Sequence, residues 1–174
     1  ESWQEIPENQ CPKVDEGEYA FAASGSQITS LERTIWIGTG ENKSRVIKSP
    51  TKKLDWSSIE TNMIQGKSSQ GIFSIDFLNE QIGMAVGGDY SKENEGSDNI
   101  IITEDGGTSW SLISPSLDFR SCIKFVGKYT VVTGPSGSEI SENLGKSWLD
   151  IDGFGFHTLG VDDKSRTVWA AGSD

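Results

Sequence analysis

Thr103-Glu104-Asp105-Gly106-Gly107-Thr108-Ser109-Trp110 returns 38 residues later as Ser141-Glu142-Asn143-Leu144-Gly145-Lys146-Ser147-Trp148. The two octets share a hydroxyl residue first, Glu second, Asp or Asn third, Gly fifth, Ser seventh and Trp eighth. Ser49-Pro50-Thr51-Lys52-Lys53-Leu54-Asp55-Trp56 keeps only the first hydroxyl and the last tryptophan, and Trp3 reads as the end of a fourth copy. A recurring sequence block signals a repeat architecture, in which each copy belongs to one supersecondary unit.

The residues around each octet recur in order too. Before the first strong copy come Ile72–Phe77, Gly83–Gly88 and Asn99–Ile102, and Ser109–Ile113 follows. The next unit repeats the series with Ser121–Val126, Tyr129–Val132, Ser138–Ile140 and Ser147–Ile151. These runs are short, rich in β-branched and aromatic residues, and bounded by Gly, Asn or Asp, so each reads as a strand. The first unit has a looser set: Tyr19–Ser24 or slightly later, Thr34–Gly38, Ser44–Lys48 and Trp56–Glu60. A last half-unit has only Phe156–Val161 and Thr167–Gly172, and no stretch of a dozen residues has a helical apolar period.

Four-stranded antiparallel units of this length are the blades of a β-propeller. The expected fold is all-β, with about three and a half blades of a six- to eight-bladed ring. The units are 1–7 (the end of a blade), 14–62, 71–115, 119–153 and 154–174. Each octet then joins a third strand to a fourth. Thr103, Asp105, Gly107 and Ser109, like Ser141, Asn143, Gly145 and Ser147, supply the turn chemistry, while Trp110 and Trp148 wedge neighbouring sheets apart. Ser49 and Trp56 hold the matching places in the weak copy. An array this short leaves its end strands open, to be covered by further blades or by another copy of the chain.

The chain's 174 residues are enough for a hydrophobic core. With 15 basic against 26 acidic residues, a net charge of −11 and no basic cluster, nucleic acid is excluded as a partner. No apolar run is long enough to be a membrane helix. Cys11 and Cys122 have neither the spacing of a zinc site nor that of a disulfide framework, and the single histidine, His157, rules out a polyhistidine metal centre. No cofactor or metal is expected, because no phosphate loop, dinucleotide fingerprint or serine-hydrolase elbow is present.

The octets resemble the Asp-box, or BNR repeat, of sialidases, other glycoside hydrolases, sortilin-like receptors and photosystem II assembly and stability factors. Gly17–Gly25, Gly71–Ile75 and Val86–Tyr90 resemble segments of bacterial propellers akin to photosystem II stability factors. The resemblance implies a secreted or periplasmic setting and a non-catalytic scaffold that binds protein or glycan. A glycoside hydrolase or sialidase-like enzyme, its site split between this segment and further blades, is the alternative. Arg45 and Arg120 are its candidate polar centre, and Asp89, after Gly87-Gly88 at a strand end, is its candidate carboxylate. Asp89 and Tyr90 are also the candidate binding pair, opening the polar insertion Asp89–Asn99. None of these residues falls in the arginine-triad and tyrosine pattern of a sialidase site.

Overall fold

The computed structural model describes residues 4–21, 24–151, 153–162, 164 and 166–172. Among these residues sixteen strands account for nearly all the regular structure, the exception being one 3-10 turn at Glu8–Gln10. In chain order they are β1 (Glu18–Tyr19), β2 (Ile28–Leu31), β3 (Thr34–Gly38), β4 (Gly40–Glu41), β5 (Arg45–Pro50), β6 (Ser57–Glu60), β7 (Lys67–Phe77) and β8 (Gly83–Asp89). They continue as β9 (Ile100–Thr103), β10 (Ser111–Leu112), β11 (Cys122–Val126), β12 (Tyr129–Gly134), β13 (Gly137–Ser141), β14 (Leu149–Asp150), β15 (Thr158–Asp162) and β16 (Thr167–Ala171).

All pairings are antiparallel. Sheet I is ordered β2-β3-β5-β6 and sheet III β11-β12-β13-β14, while β15 and β16 form a hairpin. Sheet II carries the meander β7-β8-β9-β10 and extends through β4 to β1. The first strands of successive sheets lie side by side, β2 against β7, β7 against β11 and β11 against β15. Backbone and side chains bind this inner row together. Ile75 N donates to Ser26 O (3.0 Å), Ser74 Oγ accepts from Ile123 N (3.0 Å), Asp76 Oδ2 accepts from Phe125 N (2.9 Å) and Ser121 Oγ donates to His157 O (2.9 Å). Cys122 is fully buried in this row.

The first unit departs from the sequence expectation. Its sheet opens at Ile28, slightly later than Tyr19–Ser24, whereas Glu18–Tyr19 pair with Gly40–Glu41 on the far edge of sheet II. β7 begins at Lys67, earlier than Ile72, and its added residues pair with β4 across an irregular register. The seam depends on two glycines, since a Cβ on Gly71 would lie 2.3 Å from the Cα of Gly40. Alternating apolar residues mark strands well, but such a glycine-to-glycine approach has no periodicity to reveal it.

The two octets form the same turn. Thr103 Oγ1 accepts from Gly107 N (2.8 Å), and Asp105 Oδ1 accepts from the amides of Thr108 and Ser109 (both 2.9 Å). In the second copy Ser141 Oγ accepts from Gly145 N (2.9 Å) and Asn143 Oδ1 from Ser147 N (2.9 Å). The fifth-position glycines share a left-handed backbone, φ 80° at Gly107 and 79° at Gly145. A Cβ on Gly107 would lie 2.8 Å from Trp36 Nε1, and one on Gly145 would lie 3.0 Å from Met84 Cε and 3.1 Å from the Trp148 ring, so a side chain at either would crowd its neighbours. The tryptophans belong to the turn itself, so the following strands, β10 and β14, are only two residues long.

Trp110 lies in a cluster with Trp36 and Val46 of sheet I and Ile75, Phe77 and Ile101 of sheet II. Trp148 packs on Met84, Val86 and Ile100 of sheet II and Ile123, Phe125 and Val132 of sheet III. Ser49 and Trp56 take no part in such a turn. There the amides of Lys53 and Leu54 bond to Pro50 O, and Trp56 Nε1 donates to Gln10 O (2.8 Å) of the N-terminal segment. Trp3 lies outside the described residues.

The two turns differ in one carboxyl group, Asp105 standing where the second copy has Asn143. The hydroxyl of Ser109 first, and its backbone amide next, lower the Asp105 carboxyl from 3.8 to about 2. Asn143 cannot titrate. A depressed carboxyl stabilises the folded state fully above its unfolded pKa and loses that contribution as the pH falls through the folded value. Acidification from pH 4 to about pH 2 is therefore expected to loosen the Trp110 turn and leave the Trp148 turn alone. Tryptophan fluorescence of the chain and of its Asp105→Asn variant measures this, and an identical acid response in both would refute it.

Candidate functional site

The sequence candidates gather at the end of the sheets from which β7 and β11 start, but not as one polar centre. Arg45, the first residue of β5, is nearly buried and forms a two-point ion pair with the fully buried Glu18 carboxylate, through Nε (2.8 Å) and Nη2. Thr39 Oγ1 donates to the same carboxylate (2.7 Å). Burial by itself would raise Glu18, but the bonds from Arg45, the Asp15 amide and Thr39 prevail and hold it below its ordinary value. Donating to the Glu18 carboxylate in turn raises Arg45.

Arg120 makes a second such pair. It precedes β11, is 2% exposed, and grips Glu139 of β13 through Nε (2.6 Å) and Nη2. Its Nη1 donates to Phe119 O (2.9 Å) and Ser136 Oγ (2.8 Å). Both arginines thus spend their guanidinium forks on partners inside the protein, each in the planar two-point geometry that fits a carboxylate.

Asp89 ends β8 and is 3% exposed. Its Oδ1 accepts from the amide (3.0 Å) and hydroxyl (2.6 Å) of Ser91, and its Oδ2 accepts from Gln70 Nε2 (3.0 Å). Burial pushes the carboxyl up, but the bonds from Ser91, Ser69 and Gln70 outweigh it and hold the group far below the usual carboxylate range. Asp89 therefore remains a carboxylate that anchors the loop following it. That loop turns back, with Lys92 paired to Glu95 (2.5 Å) and Glu93 O accepting from Phe119 N (3.1 Å).

Anchoring this turn presents Tyr90, which is 47% exposed. Its ring stands edge-on to Phe73 (6.0 Å) and Phe21 (6.4 Å), which stack on each other at 4.0 Å, and Phe119 meets Phe73 edge-on at 4.9 Å. Tyr90, Phe73, Phe119, Glu93, Ser24 and His157 line a pocket of about 300 Å³ between the insertion and the ends of the inner strands. Sequence reasoning identified Asp89 and Tyr90 but missed the phenylalanines, because Phe21, Phe73 and Phe119 come from three different units. Among the described residues no group of three or more His, Cys, Asp or Glu is placed to hold a metal ion. No helix among them is long and apolar enough to cross a membrane.

No protein-family model and no curated protein matches the chain. Solved structures do match, at low identity. Against the GH74 enzyme of Niastella koreensis the TM-score is 0.58 at 17% identity, covering 82% of this chain and 24% of that one. Against YCF48 bound to D1 peptide it is 0.56 at 21% identity, over 87% of this chain and 51% of that one. The computationally designed Ika4 protein gives 0.55 at 16% identity, over 85% of this chain and 93% of that one. The chain thus spans about a quarter and about half of the first two structures. At these identities the likeness concerns the fold, which is all-β and built of successive antiparallel sheets.

Proposed function

We propose that residues 14–62, 71–115 and 119–153 are three blades of a β-propeller and 154–174 half of a fourth, and that the protein is a non-catalytic binding scaffold for a peptide or glycan. The open ends are covered by further blades or by another copy. One observation carries the binding reading: Arg45, Arg120 and Asp89 are buried in saturated internal bonds, while beside them Tyr90 offers an open ring over an aromatic pocket. A tyrosine with one apolar face and one polar tip suits stacking on a sugar ring or on a flat peptide group. The fold likeness to YCF48 bound to D1 peptide supports a peptide ligand, and the family resemblance supports a secreted or periplasmic setting.

Titration calorimetry with oligosaccharide and peptide panels tests this. Tyr90→Ala is expected to weaken the best ligand about tenfold or more while lowering stability by only about 1–2 kcal/mol, the scale of its edge contacts with Phe73 and Phe21. A second reading, a glycoside hydrolase whose carboxylates are shared with further blades, draws on the likeness to the GH74 enzyme. Turnover of a glycoside by the full-length protein, abolished in Asp89→Asn, would replace the scaffold reading with that one.

A further inference from the structure

The insertion after β8 sets a carboxylate beside the exposed tyrosine. Two successive turns carry the chain around, one closed by Lys92 N donating to Asp89 O and the next by Glu95 N donating to Lys92 O (both 2.9 Å). Tyr90 N donates to Ser69 O (3.1 Å), and Glu93 O accepts from Phe119 N (3.1 Å), so the backbone is tied down at both residues. Tyr90 and Glu93 thereby line one pocket, three residues apart in a loop that needs little further ordering to bind.

The carboxylates of this loop meet different fates. Asp89 is buried in its bonds with Ser91 and Gln70, and Glu95 is paired with Lys92. Among the described residues the Glu93 carboxylate has neither a cation nor a hydrogen-bond donor. Apart from His157, no basic residue among them lines the pocket, and Arg120 close by is already held by Glu139. The unshared charge of the pocket is therefore negative, and it stands among the aromatic rings of Tyr90, Phe73 and Phe119.

A neutral sugar ring or a flat peptide group would use the tyrosine and leave that charge unmatched. A cation uses both, since the face of an aromatic ring attracts positive charge. A guanidinium suits the pair best: it is planar, so it can lie on a ring while its fork of donors grips a carboxylate. The same end of the sheets already joins guanidinium to carboxylate twice, in Arg45 with Glu18 and Arg120 with Glu139.

We propose that the Tyr90 rim recognises an arginine side chain of a peptide, the guanidinium lying on the Tyr90 ring and pairing with Glu93. Phe73 and Phe119 back the apolar stem. The proposal rests on the reading of Tyr90 as a binding ring and narrows its ligand from peptide or glycan to a cationic peptide.

The test titrates the full chain with two capped tripeptides, Gly-Arg-Gly and its citrulline counterpart, which keeps the shape without the charge. The arginine peptide is expected to bind about tenfold more tightly and to shift the ring resonances of Tyr90 and Phe119. Glu93→Gln alters an exposed side chain, so it is expected to leave the urea midpoint and the citrulline affinity unchanged while cutting the preference for arginine about threefold or more. Equal affinity of the two peptides at the rim would overturn the proposal and leave the binding reading standing. Tighter binding of an uncharged oligosaccharide that shifts the same rings would do the same. An undiminished preference in Glu93→Gln, or shifts confined to other surfaces, would also overturn the proposal. If no peptide or oligosaccharide shifts the Tyr90 rim, both readings fail together.

Discussion

Replacing Trp110 with alanine is expected to destabilise the protein by about 3–5 kcal/mol, the range for removing a large buried aromatic side chain. The ring is 8% exposed, meets Phe77 edge-on at 6.0 Å, and touches residues of two sheets, so its loss leaves a cavity that neither sheet can fill alone. Among the described residues its Nε1 has no hydrogen-bond partner, so truncation strands no acceptor there. Trp148 occupies the equivalent place but is only partly buried, and its alanine variant is expected to lose less. Urea denaturation of the two variants decides the matter. A loss below about 1 kcal/mol for Trp110→Ala would show that the indole is not the wedge between sheets I and II.

Arg120→Met is expected to cost about 3–5 kcal/mol, because it leaves the Glu139 carboxylate buried without its partner. The double variant Arg120→Met/Glu139→Leu is expected to recover most of that loss, since replacing both members of a buried pair with apolar side chains of similar size is often close to neutral. The same comparison separates architecture from function. If Arg120 served a ligand, the double variant would regain stability and still lose binding. If the pair only fastens the start of β11 to β13, binding at the Tyr90 rim survives. Chemical denaturation and ligand titration of the three proteins read the two effects independently.

The strands of sheets II and III were legible because apolar residues at alternate positions, bounded by turn residues, act locally. The box turns were legible for a similar reason: a hydroxyl, an Asp or Asn and a glycine within five residues satisfy one another's backbone. The weak copy shows the limit of that reading. Ser49 and Trp56 match the octet at its ends, but without the acidic residue and the glycine the chain takes another path, and Trp56 is held by the N-terminal segment.

The opening of the first unit was not legible. Tyr19–Ser24 or slightly later read as its opening strand, yet Glu18–Tyr19 pair with Gly40–Glu41, and that seam depends on Gly40 and Gly71 meeting across two units. Nor did the sequence distinguish arginines at a site from arginines in ion pairs. Glu18 stands 27 residues from Arg45, and Glu139 stands 19 from Arg120. The aromatic pocket draws its rings from three units in the same way.

What residue order determined by itself is the all-β class, the repeat and the chemistry of each box turn, because these follow from interactions within a few residues. Only the tertiary structure decided which charges are neutralised in the interior, which rings converge on Tyr90 and which residues of neighbouring sheets each box indole meets. Burial and long-range pairing set those outcomes, and they exist only once the sheets have packed.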